Sequence, residues 1–205
     1  MIKDVLIIGA GGHAKVVADI VLRNGDNLIG FLDDSDEKQG VAVFKDYKVI
    51  GKVLDAEEYK DCYFIVAIGD NHIRAEVAGK LNVKYYTAVH PNATIADTVK
   101  IGEGTVVMAG VVINPDTIIG EHCIINTSCS IDHDNKIGDY VHISPGAHLA
   151  GTVSVGRYSW ICIGATIINN TSVFDDIIIG AGATVLSDIN ESGLYVGTPA
   201  KKKSI

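Results

Sequence analysis

The sequence predicts two fold classes in one chain: an α/β unit over residues 1–88 and a parallel β-helix over residues 89–190, followed by a tail over residues 191–205. Three observations support this prediction. Aliphatic residues recur every six positions through the second half. A glycine-rich turn joins a short apolar strand to a helical segment in the first half. Glycine accounts for 22 of 205 residues and aromatic residues for 6%, which suits tight, repeated backbone turns.

The composition excludes several classes of protein. With 47% hydrophobic and 20% charged residues, the chain can build a packed core and is not a disordered protein. A net charge of -8 argues against nucleic acid and anionic membranes as partners. The sequence has no long apolar stretch, no signal-peptide pattern and no C-x-x-C pair. We therefore predict a cytoplasmic protein without a membrane span or zinc ribbon.

The repeat of six residues defines the second half. The aliphatic series runs unbroken from Val89 to Val185, whereas a helix repeats every 3.6 residues and a strand every two. Six residues can form one short strand and one turn, so three such sides close a triangular coil that contains three hexads. The same larger period of three hexads appears in the glycines that follow an aliphatic residue, Gly102, Gly120, Gly138 and Gly156. A β-sandwich with coincidental spacing is the alternative, and it would not keep this phase.

The repeat also predicts the core of the coil. The aliphatic residue of each hexad points inward, and so does the usually small or β-branched residue four positions later. Three residues depart from that second pattern, Asn135, Ile177 and Ile189. Cys123 and Cys129 occupy such inward positions and are expected in the core.

The first 88 residues alternate between strands and helices, which predicts a parallel sheet. Polar or glycine-containing segments separate the predicted elements, and Asp70 or Asn71 is placed to cap the last helix. In chain order these elements are a strand over residues 5–8, a helix over 14–24, a strand over 28–32, a strand at 49–50, a short helix near 55–59, a strand over 63–68 and a helix over 73–81.

The segment Gly9–Ala14 matches the pattern G-x-G-x-x-A and predicts a nucleotide site. Glycines lack a Cβ, so the N–H groups at the start of the helix can approach a phosphate. Asp33 and Asp34 end the next strand, where an acidic residue can bind ribose hydroxyls. A turn without a ligand and a nicotinamide dinucleotide site are the alternatives. Because 88 residues supply only one mononucleotide-binding half, a ligand with one nucleoside and a pyrophosphate fits better.

The segment around His133 is the leading candidate for catalysis. Its hexad position places His133 at a turn, with the ring facing outward, and Asp134 can accept a hydrogen bond from one ring nitrogen. One coil later stands Gly151, whose unobstructed N–H could stabilise an oxyanion. The alternatives are a solvated polar corner and a metal cluster with Asp132 and His148. No compact ligand motif supports the metal cluster.

His142 lies nine residues after His133, half a coil around the perimeter. One chain cannot easily place both imidazoles on the same face. If both serve one site, a neighbouring subunit must supply one of them. That expectation leads to sites between the subunits of a homotrimer.

The whole chain resembles the bacterial hexapeptide-repeat sugar acetyltransferases. These include the N-acetyltransferases of UDP-4-amino-4,6-dideoxy sugars of the bacillosamine type, the perosamine N-acetyltransferases and the sialic-acid O-acetyltransferases. Besides the Gly-x-Gly-Gly-His turn, the resemblance is carried by residues 125–128, 132–134, 138–142 and 196–201. It implies a Rossmann-like first unit, a left-handed β-helix, a homotrimer, acetyl-CoA as co-substrate, no metal, and a role in surface polysaccharide or glycan biosynthesis.

The resemblance also implies roles for individual residues. His133 corresponds to the general base and Asp134 to its acidic partner. His142, Ile163 and Ala181 correspond to contacts with acetyl-CoA. The positions that correspond to the nucleotide-sugar site are Gly11, Gly12, His13, Asp33, Asp34, Gly69 and Asn126.

The function expected on this basis is acetylation of the amino group of a nucleotide-linked amino-deoxy sugar, by direct attack without an acyl-enzyme. The alternatives within enzymes are a sialic-acid O-acetyltransferase and a GDP-perosamine-type N-acetyltransferase. The non-enzymatic alternative is an inactive scaffold that binds a nucleotide sugar, and the intact His133–Asp134 pair argues against it.

Overall fold

The structure is a computed structural model that describes residues 2–203. The chain divides between Pro91 and Asn92 into two compact units. The first unit is an α/β sheet and the second is a β-helix. Among the described residues, no helix is both long and apolar enough to cross a membrane.

The first unit contains a six-stranded sheet in the order β3-β4-β2-β1-β5-β6. Its pairs are parallel except β3 with β4, which is antiparallel. The elements of this unit are β1 (Asp4–Ile8), α1 (Gly12–Arg23), β2 (Asn27–Leu32), β3 (Ala42–Phe44), β4 (Tyr47–Gly51), β5 (Tyr63–Val66), α2 (Asn71–Gly79), β6 (Lys84–Tyr85) and β7 (Ala88–Val89), with 3-10 helices at Asp36–Lys38 and Val53–Glu58.

The core of this unit lies around β1. All four residues from Val5 to Ile8 are fully buried, which is typical of a strand covered on both faces. Helix α1 covers the sheet with a stripe that includes Ala14, Val17 and Val21. Fully burying a valine side chain contributes about 1.5–3 kcal/mol, so these contacts hold the helix against the sheet.

Most elements of the first unit are those that the sequence predicts. The segment near Asp55 forms a 3-10 helix, and α2 begins at Asn71. Asp70 caps α2, because its Oδ1 accepts a hydrogen bond of 2.9 Å from the N–H of Ile73. Strands β3 and β6 were not predicted, since one lies in a polar, glycine-containing stretch and the other is very short.

The second unit is a coil of short strands with three faces, in which the pairs are parallel except β24 with β25, which is antiparallel. The first face holds β8, β11, β14, β17, β20 and β23; the second holds β9, β12, β15, β18 and β21; the third includes β10, β13, β16, β19, β22, β24 and β25. The bounds are β8 (Thr94–Ile95), β9 (Lys100–Ile101), β10 (Val106–Val107), β11 (Val112–Ile113), β12 (Ile118–Ile119), β13 (Ile124–Ile125), β14 (Ser130–Ile131), β15 (Lys136–Ile137), β16 (His142–Ile143), β17 (His148–Leu149), β18 (Ser154–Val155), β19 (Trp160–Ile161), β20 (Thr166–Ile167), β21 (Ser172–Val173), β22 (Ile177–Ile179), β23 (Thr184–Val185), β24 (Gly193–Val196) and β25 (Lys201–Lys202).

The strand register confirms a coil of three hexads. Ile113 pairs with Ile131, Ile131 with Leu149, and Leu149 with Ile167, so each partner lies three hexads later in the chain. These second residues of the strands are buried, as the hexad pattern predicts. Cys123 and Cys129 are buried too, and all four cysteines are free thiols.

Turns at the corners join the faces. Many corners place a residue in the left-handed region, as Asp116, Asp134 and Thr152 do with φ values of 64°, 58° and 59°. These three residues lie at one corner in successive coils, between the first and second faces. Aspartate and asparagine are among the residues that tolerate this backbone conformation best.

Candidate active site

The first unit contains a cavity of about 580 Å³ at the carboxyl ends of β1 and β2. The glycine turn Gly9–Gly12 and the start of α1 form one wall. Ligands of parallel α/β sheets bind at this edge, where N–H groups of a helix N-terminus can meet a phosphate. Of the predicted substrate residues, all but Asn126 line the cavity; they are Gly11, Gly12, His13, Asp33, Asp34 and Gly69.

Asp33 fixes the glycine turn to the end of β2. Its Oδ2 accepts hydrogen bonds from the N–H of Ala10 at 2.9 Å and from Lys38 Nζ at 3.0 Å, and its Oδ1 accepts one from the N–H of Ser35. Partial burial opposes ionisation of Asp33, but these three donors outweigh it and hold its pKa below the ordinary value of 3.8. Asp33 is therefore a carboxylate that shapes the wall of the cavity.

Asp34 and Lys38 complete the polar side of this cavity. Asp34 Oδ1 accepts a hydrogen bond of 2.9 Å from the N–H of Val53, which starts a 3-10 helix. Lys38 was not predicted, because no motif marks it. Its ammonium is paired with the Asp33 carboxylate at 3.0 Å and lines the cavity, where it can also donate a hydrogen bond to a ligand.

His13 also lines this cavity, and one nitrogen of its ring is buried. Its Nε2 is shielded from solvent and has no hydrogen-bond partner among the described residues. Burial, reinforced by the nearby Arg74 guanidinium, lowers the pKa of His13 to about 4. The ring is therefore neutral at physiological pH.

His133 and Asp134 form a hydrogen-bonded pair at the corner between β14 and β15. The distance from His133 Nδ1 to Asp134 Oδ2 is 2.7 Å, and 56% of the His133 side chain is exposed. An ionised carboxylate only accepts, so Nδ1 carries the hydrogen and Nε2 presents its lone pair outward. The bond to Asp134 raises the pKa of His133 above 6.5, partial desolvation opposes this, and the Asp132 charge adds to it.

Asp132 anchors the backbone of this pair. Its Oδ1 accepts hydrogen bonds from the N–H of His133 at 2.8 Å and from Asn114 Nδ2 at 2.7 Å. The bond from Asn114, followed by that from His133, holds the pKa of Asp132 below its ordinary value of 3.8. Asn114 lies one coil before Asp132 and was not predicted as part of the site.

Gly151 lies directly beside the imidazole ring, one coil after His133. A Cβ built on Gly151 would stand 2.6 Å from both Cε1 and Nε2 of His133, so only glycine leaves room for the ring in this position. The corresponding N–H groups of Glu121 and Arg157 are bonded to carboxylates one coil later. Gly151 is a buried residue, and its N–H donates no hydrogen bond to any of residues 2–203.

His142 occupies an outward position on β16 of the third face. Its Nε2 is 3.1 Å from Asn126 Nδ2, and its ring stacks on Trp160 with a centroid distance of 5.7 Å. Trp160 in turn donates a hydrogen bond of 2.8 Å from Nε1 to Ser144 Oγ. Trp160 was not predicted as part of the site, although it stands one coil after His142. Asn126 therefore lies beside His142, although it was predicted to belong to the nucleotide-sugar site.

Ile163 and Ala181 lie at the corner between the third and first faces. They stand one coil apart, and the N–H of Gly182 donates a hydrogen bond to the carbonyl of Ile163 at 2.9 Å. Both residues are exposed, Ile163 by 58%. An exposed isoleucine beside open backbone suits contact with a long, partly apolar ligand.

The β-helix separates the predicted residues into two groups. His133, Asp134 and Gly151 come together at the corner between the first and second faces. His142 belongs to the third face, which lies opposite that corner of the triangular coil. Among residues 2–203, no group of three or more His, Cys, Asp or Glu side chains is arranged to hold a metal ion.

Comparison with known proteins identifies the family of both units. Residues 4–81 match the PglD N-terminal domain, and residues 98–133 match the bacterial transferase hexapeptide repeats. The acetyltransferase domain of PglB from Neisseria gonorrhoeae, solved with acetyl coenzyme A, is 36% identical; the match covers 99% of this chain and 100% of that one with a TM-score of 0.93. The chain belongs to the PglD and PglB type of hexapeptide-repeat acetyltransferases.

Two further relatives support this family. PerB from Caulobacter crescentus, solved with CoA and GDP-perosamine, is 36% identical, and the match covers 100% of this chain and 99% of that one with a TM-score of 0.90. UDP-N-acetylbacillosamine N-acetyltransferase of Bacillus subtilis is 36% identical over 115 residues, which is 50% of this chain. The match spans half the length of that curated relative and 20% of a viral one, Uncharacterized protein L142 of Acanthamoeba polyphaga mimivirus.

These comparisons confirm the predicted fold class and family. A Rossmann-like unit followed by a left-handed β-helix is shared with these relatives over nearly the whole chain. The roles of individual residues remain predictions.

Proposed function

We propose that this protein transfers the acetyl group of acetyl-CoA to the amino group of a nucleotide-linked amino-deoxy sugar, of the UDP-4-amino-4,6-dideoxy type. The observation that carries the proposal is the exposed His133 imidazole, oriented by Asp134 and seated on Gly151. A solvated histidine would not need a glycine at the contact point. The relatives solved with acetyl coenzyme A, and with CoA and GDP-perosamine, support both substrates.

His133 acts as the general base. Its Nδ1–H is held by Asp134, so Nε2 removes a proton as the sugar amine attacks the acetyl carbonyl. The developing positive charge on the imidazole is stabilised by Asp134 and Asp132. The carbon–sulfur bond then breaks, and the proton passes from His133 to the leaving thiolate.

Gly151 N–H stabilises the oxyanion that forms during the attack. This donor lies beside the His133 ring and is unoccupied by any other group of the described chain. A preorganised backbone donor of this kind typically contributes a factor of about 10²–10³ to the rate. Base and donor on adjacent coils allow direct transfer, without an acyl-enzyme.

The residues present suit both substrates. Gly11, Gly12 and neutral His13 in the first unit would hold the pyrophosphate, with Lys38 as a counter-charge, and Asp34 would bind the nucleoside. The second unit would hold acetyl-CoA through the exposed Ile163 and Ala181 and the stacked pair of His142 and Trp160.

We further propose a homotrimer with active sites between subunits. His133 and His142 lie on opposite sides of the triangular coil, so one chain does not bring them together. A second copy placing its third face against the His133 corner would complete the site. Four free thiols suit a reducing cytoplasm as the location.

Two measurements test the proposed function. Thermal shift with UDP, GDP, CMP and NAD should show stabilisation by UDP at low concentration, because stabilisation follows the ratio of ligand concentration to dissociation constant. Release of free thiol from acetyl-CoA should depend on an amino sugar carrying that nucleotide. Acetylation of free sialic acid with no effect of any nucleotide would favour O-acetyl transfer. Nucleotide binding without thiol release on any amino sugar would favour an inactive scaffold.

A further inference from the structure

Asn135 is a buried polar residue directly beneath the His133 turn. It is fully buried, at 0% exposure, inside the coil. Its two amide hydrogens are shared among three carbonyl oxygens, those of Asp132 at 2.6 Å, His133 at 3.2 Å and Ala150 at 3.0 Å. Its Oδ1 accepts a hydrogen bond of 3.2 Å from the N–H of Val153. Every polar atom of this side chain is therefore satisfied by backbone.

Other corners of the coil use a smaller polar group. Thr105, Thr117 and Ser159 occupy inward positions equivalent to Asn135. Each of these three hydroxyls donates to a carbonyl in the following coil and accepts from an N–H of that same coil. A fourth equivalent residue, Thr171, instead donates at 3.4 Å to the carbonyl of Asn169 in its own turn. Asn135 makes the same two inter-coil bonds: it donates to the carbonyl of Ala150 and accepts from the N–H of Val153. Its bonds to Asp132 and His133 are additional, and they lie within its own turn.

The additional bonds act on the part of the chain that aims the catalytic pair. The peptide carbonyls of residues 132 and 133 set the backbone angles on either side of His133. Asp134 has a φ of 58°, and its carboxylate reaches the ring of the preceding residue at 2.7 Å. Thr117 Oγ1 also donates to the carbonyl of Asp132 at 2.8 Å, and the N–H of Thr152 donates to the carbonyl of His133 at 2.9 Å. Asn135 bonds both carbonyls at once, so it ties them together and holds the geometry of the His133–Asp134 hydrogen bond.

We propose that Asn135 is a positioning residue for the general base, holding the carbonyls of Asp132 and His133 so that the imidazole and the Asp134 carboxylate stay aligned. The effect of Asn135 on catalysis rests on the proposed function, in which His133 is the general base. Its structural content, that Asn135 controls the His133–Asp134 pair, stands independently of the substrate.

The charged groups around the His133 ring determine how its pKa should change when Asn135 is replaced. Asp134 bonds the ring, Asp132 precedes it, and Asp116 occupies the corresponding left-handed position one coil earlier. The coil that follows contributes Gly151 and Thr152, neither of which is charged. Loosening the turn weakens mainly the bond to Asp134, so the pKa of His133 should fall toward 6.5.

The discriminating variant is Asn135→Thr. Threonine at the equivalent positions 105 and 117 makes both inter-coil bonds, so this variant keeps the links to Ala150 and Val153 and loses those to Asp132 and His133. Asn135→Ser, which places at position 135 the side chain found at Ser159, serves as a second variant. Thr105→Val is the matched control, because it removes one buried donor and one acceptor at a corner between the second and third faces.

Two readouts separate positioning from a purely structural role. The pKa of His133 is measured by NMR of histidines labelled at Cε1, with the His133 signal assigned by its loss in His133→Gln. The values of kcat and KM are measured by thiol release. In Asn135→Thr we expect a lower His133 pKa and a loss in kcat of about 5–20-fold, with KM within about twofold of wild type. Thr105→Val should lower the melting temperature and leave both quantities unchanged.

Different results would disprove the positioning role of Asn135 and the proposed function. An unchanged His133 pKa in folded Asn135→Thr and Asn135→Ser would overturn the positioning role, whatever the enzyme acetylates. A lowered pKa without a loss in kcat would overturn its contribution to catalysis. If no amino sugar supports thiol release in wild type, the proposed function fails, and the NMR titration still decides whether Asn135 controls the pair.

Discussion

Adding one methyl group at Gly151 should displace the general base without unfolding the protein. In the structure a Cβ on Gly151 would lie 2.6 Å from Cε1 and Nε2 of His133. Carbon atoms in ordinary contact are about 3.5–4.0 Å apart, so the imidazole must move by about 1 Å. The ring is exposed and can swing into solvent, so it is the group that moves.

We expect Gly151→Ala to lower kcat. A displacement of about 1 Å at a reacting group can reduce the rate by about 10²-fold, which corresponds to about 2.7 kcal/mol in the activation free energy. Gly151 lies outside the left-handed region, so alanine fits its backbone angles. The melting temperature should therefore stay the same or rise slightly, since alanine reduces the entropy of the unfolded chain.

The assay is steady-state thiol release by Gly151→Ala with saturating acetyl-CoA and sugar, together with a melting curve. Gly79→Ala is the control, because a Cβ there meets no atom within 4 Å and the residue ends α2. This control should retain full turnover. A Gly151→Ala enzyme with kcat within twofold of wild type would refute the contact between His133 and Gly151 as a catalytic requirement.

Three other predictions follow from the described contacts. Asp134→Asn removes the main cause of the raised His133 pKa, so the acidic limb of the kcat/KM profile should move to lower pH and kcat should fall; an unmoved limb contradicts the pairing. His13 has a pKa of about 4 when folded and 6.5 when unfolded, so the unfolded chain binds more protons between these values and stability falls as the pH falls through that window. His13→Gln should remove up to about 3 kcal/mol of that acid sensitivity in urea unfolding at pH 7 and pH 4, and an unaltered acid sensitivity would contradict the burial of a neutral ring. Asp33→Ala frees the N–H of Ala10 and should raise the nucleotide Kd about tenfold or more in a thermal-shift titration, whereas an unchanged Kd would exclude its role in shaping the turn.

Periodicity made much of the fold predictable. Both the hexad and the period of three hexads are properties of the backbone coil, so the inward residues from Val107 to Val185 could be assigned without a structure. The same arithmetic placed Gly151 beside His133, because residues three hexads apart stack. Strands β3 and β6 were missed because an edge strand and a very short strand leave no periodic signal.

The parts of the site that escaped prediction depend on side-chain reach. Lys38 enters the cavity through an ion pair with Asp33 across a short loop, which no motif marks. Asn135 broke the pattern of small inward residues, and that departure was the available signal. Its importance became visible only with its four hydrogen bonds. Asp33 was expected to meet ribose, and its existing bonds show that it also shapes the turn.

The central claim is that His133 is the base for acetyl transfer to a nucleotide-linked amino sugar. The most direct measurement compares wild type and His133→Gln for acetyl transfer from acetyl-CoA to a UDP-4-amino-4,6-dideoxy sugar, with both proteins shown to be folded by their melting curves. We predict product formation by wild type and a loss in kcat of about a thousandfold in the variant, with little change in KM. Turnover by His133→Gln close to that of wild type would contradict the account.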